Sequence, residues 1–334
     1  MDMPEQNISG VKLEKLRVDA LKKLKIRRRV FPVCMIVFTA LVLAGSLPYF
    51  LALAEHGWED MAVQGIVFSL LSRLMMAAIL SCAIYLIYSI LVWQKAYDRF
   101  NLSFKNKYVL DTLRQLPGFS DLRYNAGGGF SYDEMDRMNL IPKGDKVFYR
   151  SSDELTGLLD GVRFHSSNVQ TGQKGRGRRS LPDILFEGQI IAFSMFDDRK
   201  ISESFVQVFS RKALAQVKRT TAPLTIQTEN SLFNENFVVF TENERNAFYI
   251  LTPPVLEAIT AFQEAMEGKV YLAFYRSTLY VTCSQFHNPF DAYIDIPVEE
   301  QCRRLEKDVG ILRSAREILV RVGQNSQAAG KREV

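Results

Sequence analysis

Three histidines are the first place to look for acid–base or metal chemistry, and they stand apart as His56, His165 and His287. None has another His, Cys or carboxylate at the spacing of a zinc or metalloprotease site. The four cysteines, Cys34, Cys82, Cys283 and Cys302, are scattered without a CxxC pair. Neither a structural zinc nor a disulfide framework is indicated, which fits a reducing compartment. No GxSxG, HExxH or Walker pattern occurs. Carboxylates cluster at Asp133-Glu134-Asp136, Asp153-Glu154, Asp197-Asp198 and Glu242-Glu244. These places read as helix starts and turns, where acids cap helices or face water. The sequence thus offers no catalytic residue, no cofactor-binding residue and no metal ligand. It leans away from an enzyme.

Cations supply what chemistry remains. The segment 171–180, TGQKGRGRRS, places Lys174, Arg176, Arg178 and Arg179 among three glycines. They could contact an anionic partner or phosphate, or form a mobile hairpin tip, since glycine spacing gives the arginines no fixed geometry. A tighter cluster, Lys22, Lys23, Lys25, Arg27, Arg28 and Arg29, is a candidate for contacts with lipid headgroups. The formal net charge is +5. Residues 1–29 hold nine Lys/Arg against four acids and account for all of it, so the rest is balanced. That argues against a nucleic-acid-binding domain, which would carry a basic face of its own.

The elements that position these groups start with two apolar runs, residues 30–54 and a stretch within 65–93. A membrane-crossing helix needs about 20 apolar residues, and each run is long enough. The linker 55–64 holds Glu55, Glu59 and Asp60 and no Lys or Arg. Basic flanks stay cytoplasmic, so both termini are expected inside. Tyr49 with Trp58, and Trp93 with Tyr97, suit the two interfacial belts. A rival reading makes the first run a signal peptide cut after Ala52-Leu53-Ala54. The run is about twice a normal h-region, which favours an uncleaved anchor. Arg73 within the second run reads as an outer-interface residue, because no acidic partner occurs in either run. Gly45, Ser46, Ser81 and Ala83 would support close helix packing, including in a homo-oligomer. In residues 1–29, Leu13, Leu16, Ala20 and Leu24 share one helical face.

Residues 94–116 read as a helix ended by Pro117-Gly118, and Gly127-Gly128-Gly129 as a turn, since no Lys-Ser/Thr follows as in a phosphate loop. Ser131 and Glu134 form a capping box opening a helix to about Asn139. Strands are expected at 122–126, 147–150, 154–159, 162–168, 184–196, 204–210, 224–228, 237–241, 248–250, 270–275 and 278–283. Asp160-Gly161 and Arg276-Ser277 mark hairpins. Helices are expected from Thr252 to Gly268 and over 298–322.

The strand-rich section carries a resemblance. The segments SSDELTGLLDGVRFHSSNVQ, ILFEGQIIAFSMF, SLFNENFVVFTENERNAFYILTPPVLEAI and KVYLAFYRSTLYV are similar to the bacterial family called domain of unknown function 3137. The likeness spans roughly 95–320. Its most specific parts are Phe186-Glu187-Gly188, the stretch Phe233 to Val238, and Tyr249 to Pro253. The chain departs at Ser167-Asn168, where the family commonly shows Ser-Glu. The resemblance implies a basic N-terminus, two adjacent membrane helices and a cytoplasmic C-terminal domain. It implies no activity, cofactor or catalytic residue. The expected architecture is a membrane-anchored α+β protein: a basic segment 1–29, a transmembrane hairpin 30–93, a strand-rich domain with flanking helices over 94–322, and a disordered tail 323–334. The expected place is the inner membrane of a bacterial cell. The expected work is binding or scaffolding, with the lipid bilayer and a membrane or cytoplasmic protein as partners; the alternative is a membrane-bound enzyme with a site invisible to motifs.

Overall fold

The basic segment and the first apolar run are one helix. In the computed structural model α1 spans Glu5–His56, 52 residues, or about 78 Å at ~1.5 Å per residue. Pro32 and Pro48 lie inside it. The structure describes residues 5–56, 60–175, 181–194, 205–214, 224–266, 269–284 and 290–330. Helix α2, Asp60–Tyr88, continues through a π-helical turn, Ser89–Gln94, into α3, Lys95–Ser103. A second π turn, Phe104–Val109, leads into α4, Leu110–Gln115. Leu116 then turns extended and Gly118 takes φ +91°.

The chain divides into two units, residues 1–104 with 292–301, and 105–291 with 302–334. In the helical unit α1 packs along α2 and α3. Small residues allow the approach: Ser46, Ala77 and Ser81 are buried. Each hydroxyl is satisfied locally, Ser46 Oγ donating to the Leu43 carbonyl and Ser81 Oγ to that of Ala77, both at 2.8 Å. The outer faces keep Ile36, Val37, Leu41, Leu47, Phe68, Met75, Ile79 and Leu86 exposed. Two helices are thus long and apolar enough to cross a membrane, over Val11–Pro48 and Val67–Gln115.

Residues 292–301 complete this unit. Arg17 Nη1 donates to the Ile294 carbonyl at 2.8 Å, and Glu14 accepts from Val298 N–H at 3.2 Å and from Arg17 Nη2 at 2.5 Å. Ala292 N–H donates to Asn101 Oδ1 at 2.8 Å. Leu13, Arg17, Ala20 and Leu24 are therefore buried against protein. That stripe is not free to lie on a bilayer.

The second unit is built on one nine-stranded antiparallel sheet. Its strands are β1 Phe119–Asn125, β2 Arg150–Leu159, β3 Val162–Gln173, β4 Asp183–Ser194, β5 Phe205–Ser210, β6 Leu224–Ile226, β7 Phe237–Thr241, β8 Val270–Tyr275 and β9 Thr278–Ser284. The order is β1-β2-β3-β4-β9-β8-β5-β7-β6. The described helices are α5 Tyr132–Met138, α6 Arg211–Leu214, α7 Ser231–Asn236, α8 Glu244–Ile250, α9 Pro253–Ala265 and α10 Cys302–Gly330. Phe130, Met135 and Met138 cover one sheet face over Phe186, Ile190, Phe209 and Tyr271. Fold class is as expected: two long apolar helices, then an α+β unit.

The turn signals read from sequence hold. Asp160 and Gly161 take φ +48° and +79°, and Arg276 and Ser277 take +47° and +57°. These left-handed pairs match the twist of tight hairpins. Ser131 Oγ accepts from Glu134 N–H at 3.2 Å and Asn139 closes α5 at φ +44°. Two expected strands are corrected. Residues 146–148 form a 3-10 turn, with Phe148 N–H bonded to the Asp145 carbonyl at 3.0 Å. Residues 248–250 end helix α8, because Asn243 caps it by accepting from Asn246 N–H at 3.3 Å and Ala247 and Ile250 share a buried face. The local cap outweighs the β propensity of Phe, Tyr and Ile.

Candidate functional site

The sheet unit gathers its charge around one lysine. Lys105 sits on the second π turn and is 3% exposed. Its Nζ lies 2.7 Å from Asp153 Oδ1 and 2.5 Å from Asp291 Oδ1. Asp153 collects more donors: Tyr124 O–H at 2.5 Å on Oδ1, Asn168 Nδ2 at 3.1 Å and Ser152 Oγ at 3.3 Å on Oδ2.

A backbone irregularity delivers that carboxylate. The register between β2 and β3 shifts between Ser152 and Leu155, and that between β1 and β2 between Ser120 and Arg123. Asp153 stands in this bulge at φ +58°. A left-handed aspartate costs roughly 1–3 kcal/mol unless its surroundings fix it. Here Asp153 N–H bonds to the Ala126 carbonyl at 3.1 Å and its side chain has four donors.

Burial alone would raise the Asp153 carboxyl. The Lys105 ammonium and the hydrogen bonds from Lys105, Tyr124 and Asn168 outweigh it and hold the group below its ordinary value. The same arrangement pushes the Tyr124 phenol up, first through burial and then through its bond to Asp153. An ammonium shared by two carboxylates has no lone pair to offer a carbonyl carbon or a proton. The cluster therefore fixes geometry. It ties the chain at Lys105 and Asp291 to three adjacent strands.

The opposite face of the same strands holds a second cluster, around His165. The His165 ring stacks on Phe130 at a centroid distance of 4.0 Å. Its Nε2 is 3.2 Å from Glu154 Oε1 but off the line of a hydrogen bond. Burial lowers His165, against the opposing pull of Glu154 and Glu134. Tyr280 donates to Glu134 at 3.4 Å, and burial pushes its phenol up to about 12. The triple glycine is a turn that packs here. Gly127 N–H bonds to Asn125 Oδ1 at 3.2 Å, and a Cβ on Gly129, at φ +145°, would lie 2.1 Å from Ser151 Oγ.

The cations read from sequence fall in two places. Lys22, Lys25, Arg28 and Arg29 are exposed along α1, and Lys23 pairs with Asp19 at 2.7 Å. Arg27 turns inward, its Cζ 4.4 Å from the Trp93 ring centroid and 5.3 Å from that of Tyr85. Lys174 is exposed beyond β3, its N–H bonded to Asp145 Oδ2 at 3.0 Å. Arg176, Arg178, Arg179, Asp197, Asp198, Trp58 and His287 lie outside the described residues. Among the described residues no group of three or more His, Cys, Asp or Glu is placed to hold a metal ion.

The Lys105 cluster was missed by sequence reading. In the sequence Asp153 reads as a turn acid facing water, and nothing nearby marks Lys105 as its partner. The one available signal is the break in alternation between Ser152 and Leu155, where a bulge re-aims a side chain.

Fold and cluster together define an α+β protein with two apolar N-terminal helices and no assembled catalytic constellation among its described residues. Residues 184–319 match the family described as "Protein of unknown function (DUF3137)", and the chain carries a domain of that family. The match runs from β4 into α10. No curated protein and no solved structure matches the chain.

Proposed function

We propose that this chain is a membrane-anchored binding module, its helical hairpin in the inner membrane of a bacterial cell and its sheet unit in the cytoplasm. The observation that carries the reading is the distribution of apolar surface. Most exposed large hydrophobic residues lie on α1 and α2; in the sheet unit they are scattered singly, such as Val147, Leu181 and Phe248. The charge order supplies the orientation, nine cations before the first run and none in the linker 55–64. The sheet unit uses its best-buried charges on itself, which favours a scaffold or partner-binding role over chemistry. Gly45 and Ala83 remain exposed and would suit a second copy of the hairpin.

The test is accessibility in intact cells. A cysteine placed at residue 59 labels with an impermeant maleimide before lysis. One placed at Val147, which is 86% exposed, labels only after lysis. Labelling at 147 in intact cells overturns the orientation. Release of the chain by alkaline carbonate overturns the anchor.

A further inference from the structure

We propose that Arg27, Tyr85 and Trp93 form a site for the phosphodiester of a membrane phospholipid. The proposal rests on the reading that α1 and α2 cross the bilayer, and it names what one residue of the basic cluster holds there.

Arg27 differs from its neighbours. Arg28 and Arg29 face outward, whereas the Arg27 guanidinium lies over the faces of Tyr85 and Trp93. Arg17, ten residues earlier, is paired with Glu14. Among the described residues Arg27 Nε is buried without a hydrogen-bond partner, and so is Trp93 Nε1. Stacking on aromatic faces stabilises the cation but leaves its in-plane N–H groups unsatisfied. Arg27 is half-buried, so the edge of its guanidinium that stays open calls for an acceptor with more than one oxygen and a negative charge. A phosphodiester matches, and the planar guanidinium fork binds it bidentately.

Depth selects a lipid as its source. Arg27 lies three residues before the apolar run that starts at residue 30, and Trp93 closes the second run. The site thus falls where headgroups meet acyl chains, beside exposed apolar faces of α1 and α2 that suit the chains. Trp93 also stands on the π turn Ser89–Gln94, a local widening of the helix that recurs at functional sites.

The chain has two tryptophans, Trp58 and Trp93, so Trp58→Phe leaves Trp93 as the single reporter. The full chain in dodecyl maltoside micelles is titrated with phosphatidylglycerol in about 0.5 M salt, which screens the exposed cations. Trp93 emission should change and saturate. Arg27→Gln should weaken the response about tenfold or more, and Arg27→Lys severalfold, because lysine keeps the charge but loses the fork. Arg28→Gln with Arg29→Gln should stay within about twofold. If Arg27→Gln does not fold, Arg27→Lys decides. An unsaturable response, equal responses in wild type and Arg27→Lys, or the same response to inorganic phosphate alone overturns the site. Carbonate extraction of the same chain separates the two claims. A chain retained in membranes without a Trp93 response sinks the site only; a chain that is released sinks the anchor as well.

Discussion

Removing the Lys105 side chain, itself buried, would leave the half-buried Asp153 and Asp291 side by side without their shared counter-ion. Breaking a buried pair this way costs about 3–5 kcal/mol. Lys105→Met should therefore lower the melting transition of the detergent-solubilised chain far more than Lys143→Met. Lys143 pairs with Asp136 at the surface, and such pairs contribute about 0–1 kcal/mol. Equal shifts would mean that the Lys105 cluster is not a fixed clasp. Acid acts on this unit in two steps. Burial lowers His165 below 6.5, so the unfolded chain takes up that proton first. Stability is full above about pH 6.5 and falls as pH drops toward the lowered folded value. Asp153 works in the other direction of charge: its stabilisation is present above its ordinary value of 3.8 and is lost as pH falls through the depressed folded value. His165→Gln should flatten the first limb and leave the second, which melting curves between about pH 7 and 3 would resolve. None of this was legible at residue scale. Lys105 meets a carboxylate 48 positions away, and no local pattern marks such a pair.

At the scale of elements, local chemistry was legible wherever a few adjacent residues decide the outcome. The Ser131 cap, the Asp160-Gly161 turn and strand β7 needed only neighbours. Residues 248–250 failed because a run of Phe, Tyr and Ile suits a strand until the Asn243 cap three positions before Asn246 is weighed. The basic segment between β3 and β4 follows the same logic. Lys174 is exposed, and the cations after it lie among glycines that lose much entropy on ordering. Replacing Lys174, Arg176, Arg178 and Arg179 by Ser should change stability by under about 1 kcal/mol. If the segment docks an anionic surface, the same variant should lose salt-sensitive binding to anionic vesicles. A large loss of stability would show that these arginines build the fold.

The whole molecule was legible in outline: two apolar helices, then a strand-rich unit. What the sequence could not reveal is that residues 292–301 join the helical unit, since the groups that bond to them, on Glu14, Arg17, Tyr97 and Asn101, lie about two hundred positions or more away. That attachment makes α1 sensitive to phase along its whole length. One alanine inserted between Arg29 and Val30 would rotate everything before it by about 100° relative to everything after. Either the contacts of Arg17 and Glu14 or the packing of α1 on α2 would then be lost. The insertion should therefore sharply lower the melting temperature, whereas one alanine added after Gly330 should not.

The two π turns can be understood as phase slips in a helix that otherwise keeps strict time. Each holds an extra residue within its turn, so every side chain beyond it points elsewhere than an unbroken α-helix would aim it. Trp93 stands on one slip and Lys105 on the other. A chain missing one residue from 106–109 would keep a helix there, yet Lys105 would be turned by about 100° relative to α4. The helix leaving the second apolar run is thus an indexed shaft, and the residues on its two slips are those whose aim the indexing protects.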